Sequence, residues 1–284
     1  MIYTVVMVSY NRTSKLKESI VQLLATNINE IIIVDNHSGK ETRAILEEAS
    51  LQDERVKIIN LDENRGASFG FSIGLNYVEE KYEQSVTTFL DDDAYFDQVF
   101  LDNLKIECKH YEYRFPFITP KVINKKGMRL TMNRPMTCIP RSLFKVVKYL
   151  INIRQFGDKN ELVEAASFIG LTIVNTADDK KSLLIPIDYF IYYDDLTFTH
   201  RLAKKNGELG IYLNDLVVMH DIEGGVRKYD AFRLSYLLSN SIKFSKEVGD
   251  TLYIYSMFIH CYHFLNCLKN LKLTVFVRAL LRKR

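Results

Sequence analysis

Apolar runs and helical periodicities alternate along residues 1–95. Residues 3–8 (YTVVMV), 30–35 (EIIIVD), 56–61 (VKIINL) and 85–90 (SVTTFL) are short and mostly rich in β-branched side chains, the pattern of buried strands. Between them, residues 14–25 place Leu16, Ile20, Leu23 and Leu24 at helical spacing, and residues 40–50 and 67–82 read as two further helices. The order β-α-β-α-β-α-β with short connections predicts a parallel sheet, helices on both its faces and right-handed crossovers.

The second half is less regular. Residues 96–110 predict a helix, and residues 117–120 a short strand closed by Pro120. Residues 121–160 mix basic, aromatic and proline positions without a period; a long excursion of this kind in a compact domain is functional or mobile. Residues 163–174 (VEAASFIGLTIV) and 185–193 (IPIDYFIYY) are expected strands, the latter running into Asp194 and Asp195. Residues 196–206 predict a helix stopped at Gly207, and residues 211–221 close the domain. The expected fold is α/β, a mostly parallel Rossmann-like sheet flanked by helices over residues 1–230, followed by a helical extension over 231–284.

Composition narrows the classes. The chain has 284 residues with 47% in the hydrophobic set, enough for one large core or a core with an appendage. A net charge of +3 does not imply a nucleic-acid partner. Cys108, Cys138, Cys261 and Cys267 form no CxxC pair and read as free thiols of a reducing compartment. The N-terminal apolar run has no basic segment ahead of it and is broken by Ser9, Asn11 and Arg12. It reads as a first strand, with a cytoplasmic location. Residues 251–268 contain no Asp, Glu, Lys or Arg, and the acid-free stretch after them carries Lys269, Lys272, Arg278, Arg282, Lys283 and Arg284. The uncharged run is just long enough to be weighed as a membrane span, but its His, Asn and Tyr residues make a span costly. Two readings stand: a helix pair lying on an anionic leaflet, or an ordinary C-terminal helix packed on the domain.

Ligands of open parallel sheets bind outside the carboxyl ends of the strands. At those ends stand Ser9, Tyr10, Asn11 and Arg12; Asp35, Asn36, His37 and Ser38; Asn64, Arg65 and Gly66; and Asp91, Asp92 and Asp93. They offer an aromatic ring to stack on a base, an acid to accept from a base N–H, an arginine for phosphate and an acidic cluster for a cation. Each has a plain structural reading as well. Asp35-Asn36 can be a turn, Gly66, Gly70 and Gly74 can serve close helix packing, and three aspartates can cap a helix. As a set on successive strands they suit a nucleotide diphosphate with a metal ion. The stretch after the first strand lacks the GxGxxG of a dehydrogenase and the glycine- and basic-rich loop of a sugar-nucleotide pyrophosphorylase. An aspartyl phosphatase would carry its DxD after the first strand. A non-catalytic sugar-nucleotide-binding or scaffold protein remains an alternative.

The motifs VSYNR (8–12), VDNHS (34–38), ENRGASFGF (63–71), LDDD (90–93), YYDDLTFTHRL (192–202) and VVMH (217–220) occur in that order. The set resembles the nucleotide-sugar glycosyltransferases of family 2, with the type-A glycosyltransferase fold. It is most similar to their bacterial rhamnosyl- and galactofuranosyltransferase branch, over about residues 3–225. The resemblance implies a nucleotide-binding half (1–95) and an acceptor and catalytic half (96–230). Tyr10, Asn11, Arg12, Asp35, Asn36, Arg65, Asp91 and Asp92 would bind a UDP- or dTDP-sugar, Asp35 by accepting from the base N3–H. Asp91, Asp93 and His220 would hold Mn²⁺ or Mg²⁺, and Asp195, with Asp194 as the second candidate, would be the general base. His220 has a structural reading too, as a histidine bonded to backbone. One base and one displacement imply inversion at the anomeric carbon. The acceptor would be a glycan or lipid-linked glycan of capsule or O-antigen assembly, with the protein peripheral on the inner membrane face. The chain departs from the family pattern at Ala67, where many relatives have a second glycine, and at Asp194 and Thr197, where relatives often carry Glu and a later acid.

Overall fold

A computed structural model describes residues 1–152, 159–176, 178–222 and 230–282. Strands β1 (Ile2–Ser9), β2 (Glu30–Asp35), β3 (Val56–Asn60) and β4 (Gln84–Asp91) pair in parallel in the order β3-β2-β1-β4. The three crossovers are α1 (Thr13–Leu24), α2 (Lys40–Gln52) and α3 (Ala67–Lys81). Alternation along the strands sorts the core into two layers. Val5, Met7, Ile31 and Ile33 face Leu16, Ile20 and Leu46 of α1 and α2, while Val6, Val8, Ile32 and Val34 face Phe71, Leu75 and Val78 of α3. With both faces covered, these strands read as continuous apolar runs. Helix α3 lies close on β1, since a Cβ at Gly74 would meet Val6 at 2.5 Å and one at Gly70 would meet Val8 at 2.9 Å.

The second half completes a mixed sheet. After β5 (Ala94–Tyr95), Asp97 caps α4 (Gln98–His110), its Oδ1 accepting from the Phe100 N–H at 3.0 Å. Strands β6 (Ile118–Ile123), β7 (Glu161–Val163), β8 (Thr172–Thr176) and β9 (Gly210–His220) extend the sheet to β3-β2-β1-β4-β8-β6-β9-β5. Strand β8 is antiparallel to both β4 and β6, β9 is parallel to β6, and β7 and β5 pair with opposite ends of β9. The expected strand at 117–120 begins one residue later and continues past Pro120, where the β6–β9 register shifts because proline has no N–H for the ladder.

Two sequence expectations change. Residues 163–174 are not one strand: β7 ends at Val163, β8 starts at Thr172, and the chain turns between them through Gly170. Residues 185–193 are not a strand either. They follow a 3₁₀ turn at Lys181–Leu184 as an irregular loop, ending with Tyr192 and Tyr193 at φ 69° and 67°. Helix α6 (Asp194–Asn206) starts directly after them. The 121–160 excursion contains a 3₁₀ turn at Thr131–Asn133 and helix α5 (Leu143–Asn152); its residues 153–158 lie outside the described ones.

The C-terminal helices are α7 (Ala231–Glu247), α8 (Ile254–Lys269) and α9 (Leu273–Leu281). Leu234, Phe244, Tyr255 and Phe276 of these helices share a core cluster with Met136, Ile139, Tyr189 and Tyr193. The extension thus packs on the segment leading into α6. No described helix is long and apolar enough to cross a membrane, and Lys283 and Arg284 of the basic tail lie outside the described residues.

Candidate functional site

At the end of β4 the chain reverses into β5. Strand β5 pairs antiparallel with the end of β9, which sets Ala94 opposite His220, and the Asp221 N–H donates to the Asp93 carbonyl at 2.7 Å. This reversal brings Asp91, Asp93 and His220 together, one ligand atom from each lying within 4.8 Å of the others. His220 Nε2 is 3.2 Å from Asp93 Oδ1, and its Nδ1 is 3.0 Å from Asn133 Oδ1. The Asn133 amide is oriented by its Nδ2, which donates to Ser167 Oγ at 3.4 Å. Asn133 Oδ1 therefore offers an acceptor for a proton on Nδ1. Nε2 then faces Asp93 Oδ1, a buried oxygen without a hydrogen bond, which it meets as a cationic partner when the ring is protonated or as a fellow ligand when a metal ion is bound. Carboxylate and imidazole donors, the imidazole held by an outer amide, fit a divalent ion such as Mn²⁺ or Mg²⁺. Burial and the neighbouring Asp93 charge raise the Asp91 pKa. Burial pushes Asp93 the same way, but His220, Arg12 and Lys15 outweigh it and hold that carboxyl below the usual range.

Asp92 turns away from this cluster. Its Oδ2 accepts from the Tyr10 N–H at 3.0 Å, its Oδ1 is 3.4 Å from the Arg12 guanidinium, and its carbonyl accepts from Ser19 Oγ at 3.1 Å. Burial pushes its pKa to about 7 despite Arg12. Arg12 also bonds Asp93 Oδ2, and Lys15 lies 4.0 Å from the same oxygen. Lys125, from the excursion, bonds Asp221 at 3.1 Å and Glu18 at 2.7 Å. Cations therefore rim the acidic cluster.

The remaining strand-end residues divide by exposure. Asn11, at φ 54°, accepts from the Gly39 N–H through Oδ1 at 2.7 Å and donates its own N–H to Ser38 Oγ at 3.1 Å. Asp35 is fully buried and accepts from the Ser38 N–H at 3.1 Å and Arg43 Nε at 3.2 Å. Asn36 donates to Asn64 Oδ1 at 3.0 Å and accepts from the Arg65 N–H at 3.1 Å. These side chains, with Asp92, lace the loops after β1, β2 and β3 into one edge. Tyr10 stands 46% exposed on that edge, and the exposed Arg65 guanidinium lies 3.7 Å from the centre of the Phe69 ring. Tyr10, Arg12 and Arg65, exposed along with Asn11 and His37, are side chains open to a ligand.

Asp194 and Asp195 open α6 behind two consecutive left-handed tyrosines, a backbone costing about 1–3 kcal/mol per residue and persisting only when its surroundings hold it. They do. Asn240 of α7, 1% exposed, donates Nδ2 to the Ile191 carbonyl at 2.9 Å and the Tyr192 carbonyl at 3.2 Å. Tyr255 Oη of α8 bonds Tyr193 Oη at 3.4 Å. From the other side, Ser68 Oγ donates to the Pro186 carbonyl at 2.6 Å and the Ala67 N–H to the Phe190 carbonyl at 3.1 Å. Gly66, at φ 87°, makes that second contact possible, because a Cβ there would lie 2.2 Å from the Phe190 oxygen. Burial raises the Asp195 pKa to about 7; N–H groups of Leu196 and Phe168 pull it down and the Asp91 charge adds to the rise. Asp194 is raised well above the carboxylate range by burial and by Asp195. The Asp91 charge contributes to the rise of both acids, which places the pair near the cluster of Asp91, Asp93 and His220.

Sequence reasoning missed Asn133, Asn240, Lys15 and Asp221. Asn240 carried a signal, a polar residue on the stripe of Leu237, Ser241 and Phe244 that α7 buries. Asn133 carried none, lying in the stretch without periodicity.

The model of the family described as Glycosyl transferase family 2 matches residues 4–165. No curated protein matches the chain by sequence. Similar solved structures include GalNAc-T7 with UDP, GalNAc and Mn²⁺, at 13% identity and a TM-score of 0.60, covering 87% of this chain and 48% of that one. S. aureus TarS 1–349 in complex with UDP has 15% identity and a TM-score of 0.57, covering 99% of this chain and 81% of that one. TarS 1–349 in complex with UDP-GlcNAc has 14% identity and a TM-score of 0.56, covering 99% and 80%. These likenesses establish a shared type-A glycosyltransferase fold. The chain spans about half the length of GalNAc-T7.

Proposed function

The chain belongs to glycosyl transferase family 2, and from that membership we propose that it is an inverting glycosyltransferase that moves a sugar from a UDP- or dTDP-sugar to a hydroxyl of a glycan or lipid-linked acceptor. One observation carries the reading: Asp91, Asp93 and His220 converge at the end of β4, the buried Asp93 Oδ1 facing His220 Nε2, with Asp195 near enough to feel the Asp91 charge. Asp91, Asp93 and His220 would hold the divalent ion. When bound, that ion stabilises negative charge on the leaving diphosphate as a Lewis acid. Tyr10 stacks on the base from the exposed edge, and Arg12 and Arg65 meet phosphate oxygens. Asp35 and Asn36 are proposed to shape the base pocket and, with Asn11 and Asp92, to fix the loops that line it. Asp195 takes the proton of the attacking acceptor hydroxyl, a role that suits a carboxyl poised near neutral pH. Asp194, its pKa raised by burial and by Asp195, stands beside it as the second candidate.

Solved neighbours with UDP or UDP-GlcNAc support a uridine donor. The motifs at 8–12, 34–38 and 90–93 support the rhamnosyl- or galactofuranosyltransferase branch, whose donors are dTDP-rhamnose and UDP-galactofuranose. We place the reaction in surface polysaccharide assembly on the inner membrane face, the acid-free C-terminal segment meeting the lipid. The deciding experiment is a nucleotide-sugar panel with Mn²⁺, read by chromatography and by NMR of the anomeric centre. Transfer with inversion, abolished by Asp195→Asn, is expected. Absence of turnover together with absence of UDP or dTDP binding by calorimetry overturns the proposal.

A further inference from the structure

Helix α5 turns its apolar residues outward. Leu143 and Phe144 are 75% and 78% exposed, and Val147 and Leu150 share their face. Its inner side is made by Val146 and Tyr149, the latter packed on the cluster that contains Tyr193. Helix α8, which packs beside α5, repeats the arrangement: Met257, Phe264, Leu265 and Leu268 stand exposed along one helical stripe. Helix α9 follows suit with Val277 and Leu281, and it touches α8 through Phe276, whose ring centre is 5.5 Å from that of Phe264. Scattered exposed leucines are ordinary, whereas helical stripes on three successive neighbours form a patch that asks for an occupant.

The charges identify the occupant. Residues 143–152 and 251–282 contain Lys145, Lys148, Lys269, Lys272, Arg278 and Arg282 and no acid, in a chain that holds 35 acidic residues. A surface whose centre is apolar and whose charges are all cationic matches the anionic headgroups and acyl boundary of a leaflet. No described helix can cross the bilayer, so the contact lies in its plane. We propose that α5, α8 and α9 form one docking face for an anionic membrane surface, with α5 as an insertion element that the C-terminal segment alone would lack. This deepens the membrane contact proposed above. It adds a geometric consequence. The cluster beneath the face also carries Tyr193, the residue before Asp194 and Asp195, so docking holds the catalytic turn close to headgroup level.

The test uses the full chain with phosphatidylcholine vesicles, with and without phosphatidylglycerol, read by co-sedimentation at low and high salt. Binding only to the anionic vesicles, weakened by salt, is expected. The double substitution Phe144→Ser/Val147→Ser is expected to weaken it about tenfold or more, while Leu51→Ser, at an 88% exposed site on α2, leaves it unchanged. No binding to anionic vesicles, or equal binding by the α5 variant, overturns the proposal. So does a concentration-dependent dimer in gel filtration that the α5 variant abolishes, which would make a second copy the occupant. UDP binding, measured on the same proteins, separates this outcome from failure of the enzymatic reading, because it does not involve the docking face.

Discussion

Asn133→Ala separates ion binding from stability. In the native protein His220 Nδ1 lies 3.0 Å from Asn133 Oδ1, an acceptor for its proton, with both residues buried. Removing the acceptor strands a buried donor, which costs about 1–3 kcal/mol. The ring has an escape. If its proton moves to Nε2, it donates to Asp93 Oδ1, 3.2 Å away. A hydrogen bond to a charged acceptor is worth about 1.5–3 kcal/mol, so the metal-free variant should lie within about 1 kcal/mol of the parent in stability. The same shift turns a proton, rather than a lone pair, toward the place of the ion. Loss of an outer-shell partner typically weakens metal binding about 10–100-fold, or about 1.4–2.7 kcal/mol. Mn²⁺ titration followed by electron paramagnetic resonance gives the affinity, and urea unfolding without metal gives the stability. Asn133→Asp keeps an acceptor and should retain most of the affinity. An affinity within about twofold of the parent, or a loss matched by an equal loss of metal-free stability, refutes the tautomer argument.

Three further outcomes are expected. A base works when ionised, and the Asp195 pKa is raised to about 7, so kcat/KM should fall as pH drops through about 7 and level off above it; a pH profile whose acid limb lies near 4 contradicts the assignment. Asn240→Leu frees the Ile191 and Tyr192 carbonyls from their clamp and should lower kcat about tenfold while the donor KM changes less than about threefold; steady-state kinetics showing the loss in donor KM alone exclude a positioning role. Gly66→Ala forces a Cβ to within 2.2 Å of the Phe190 oxygen at φ 87° and should cost about 2–4 kcal/mol in urea unfolding, a change under about 0.5 kcal/mol being incompatible with the rigid contact.

The first half of the fold was legible because local signals and tertiary demands agree there. Apolar runs such as 30–35 are buried on both faces, and the helices between them carry their own periodicity. The 185–193 stretch misled because its aromatic and β-branched residues have strand composition. Their burial comes instead from packing against α7 and α8, and their backbone is set by Asn240 and Gly66 rather than by a ladder. The 163–174 run was split for a similar reason, its apolar side chains filling two layers around a turn. Within the site, Asp91, Asp93 and His220 were readable from motif order. The inward role of Asp92 was not, since a triplet alone does not say which carboxylate turns toward the loop after β1. Asn133 was invisible because a single amide outside any periodic element announces itself only by what it touches.

The β5–β9 ladder has a consequence for how the molecule assembles. It joins Ala94 to His220 and Tyr95 to Met219, residues far apart along the chain. Contacts of such high sequence separation form late, because their loop-closure entropy must be overcome before they contribute. The parallel strands and the laced loops of the nucleotide edge can form from residues 1–95 alone. The cluster of Asp91, Asp93 and His220 cannot. It comes into being only when the last strand docks, so a chain still emerging from synthesis can pair its first strands before it can bring these three side chains together.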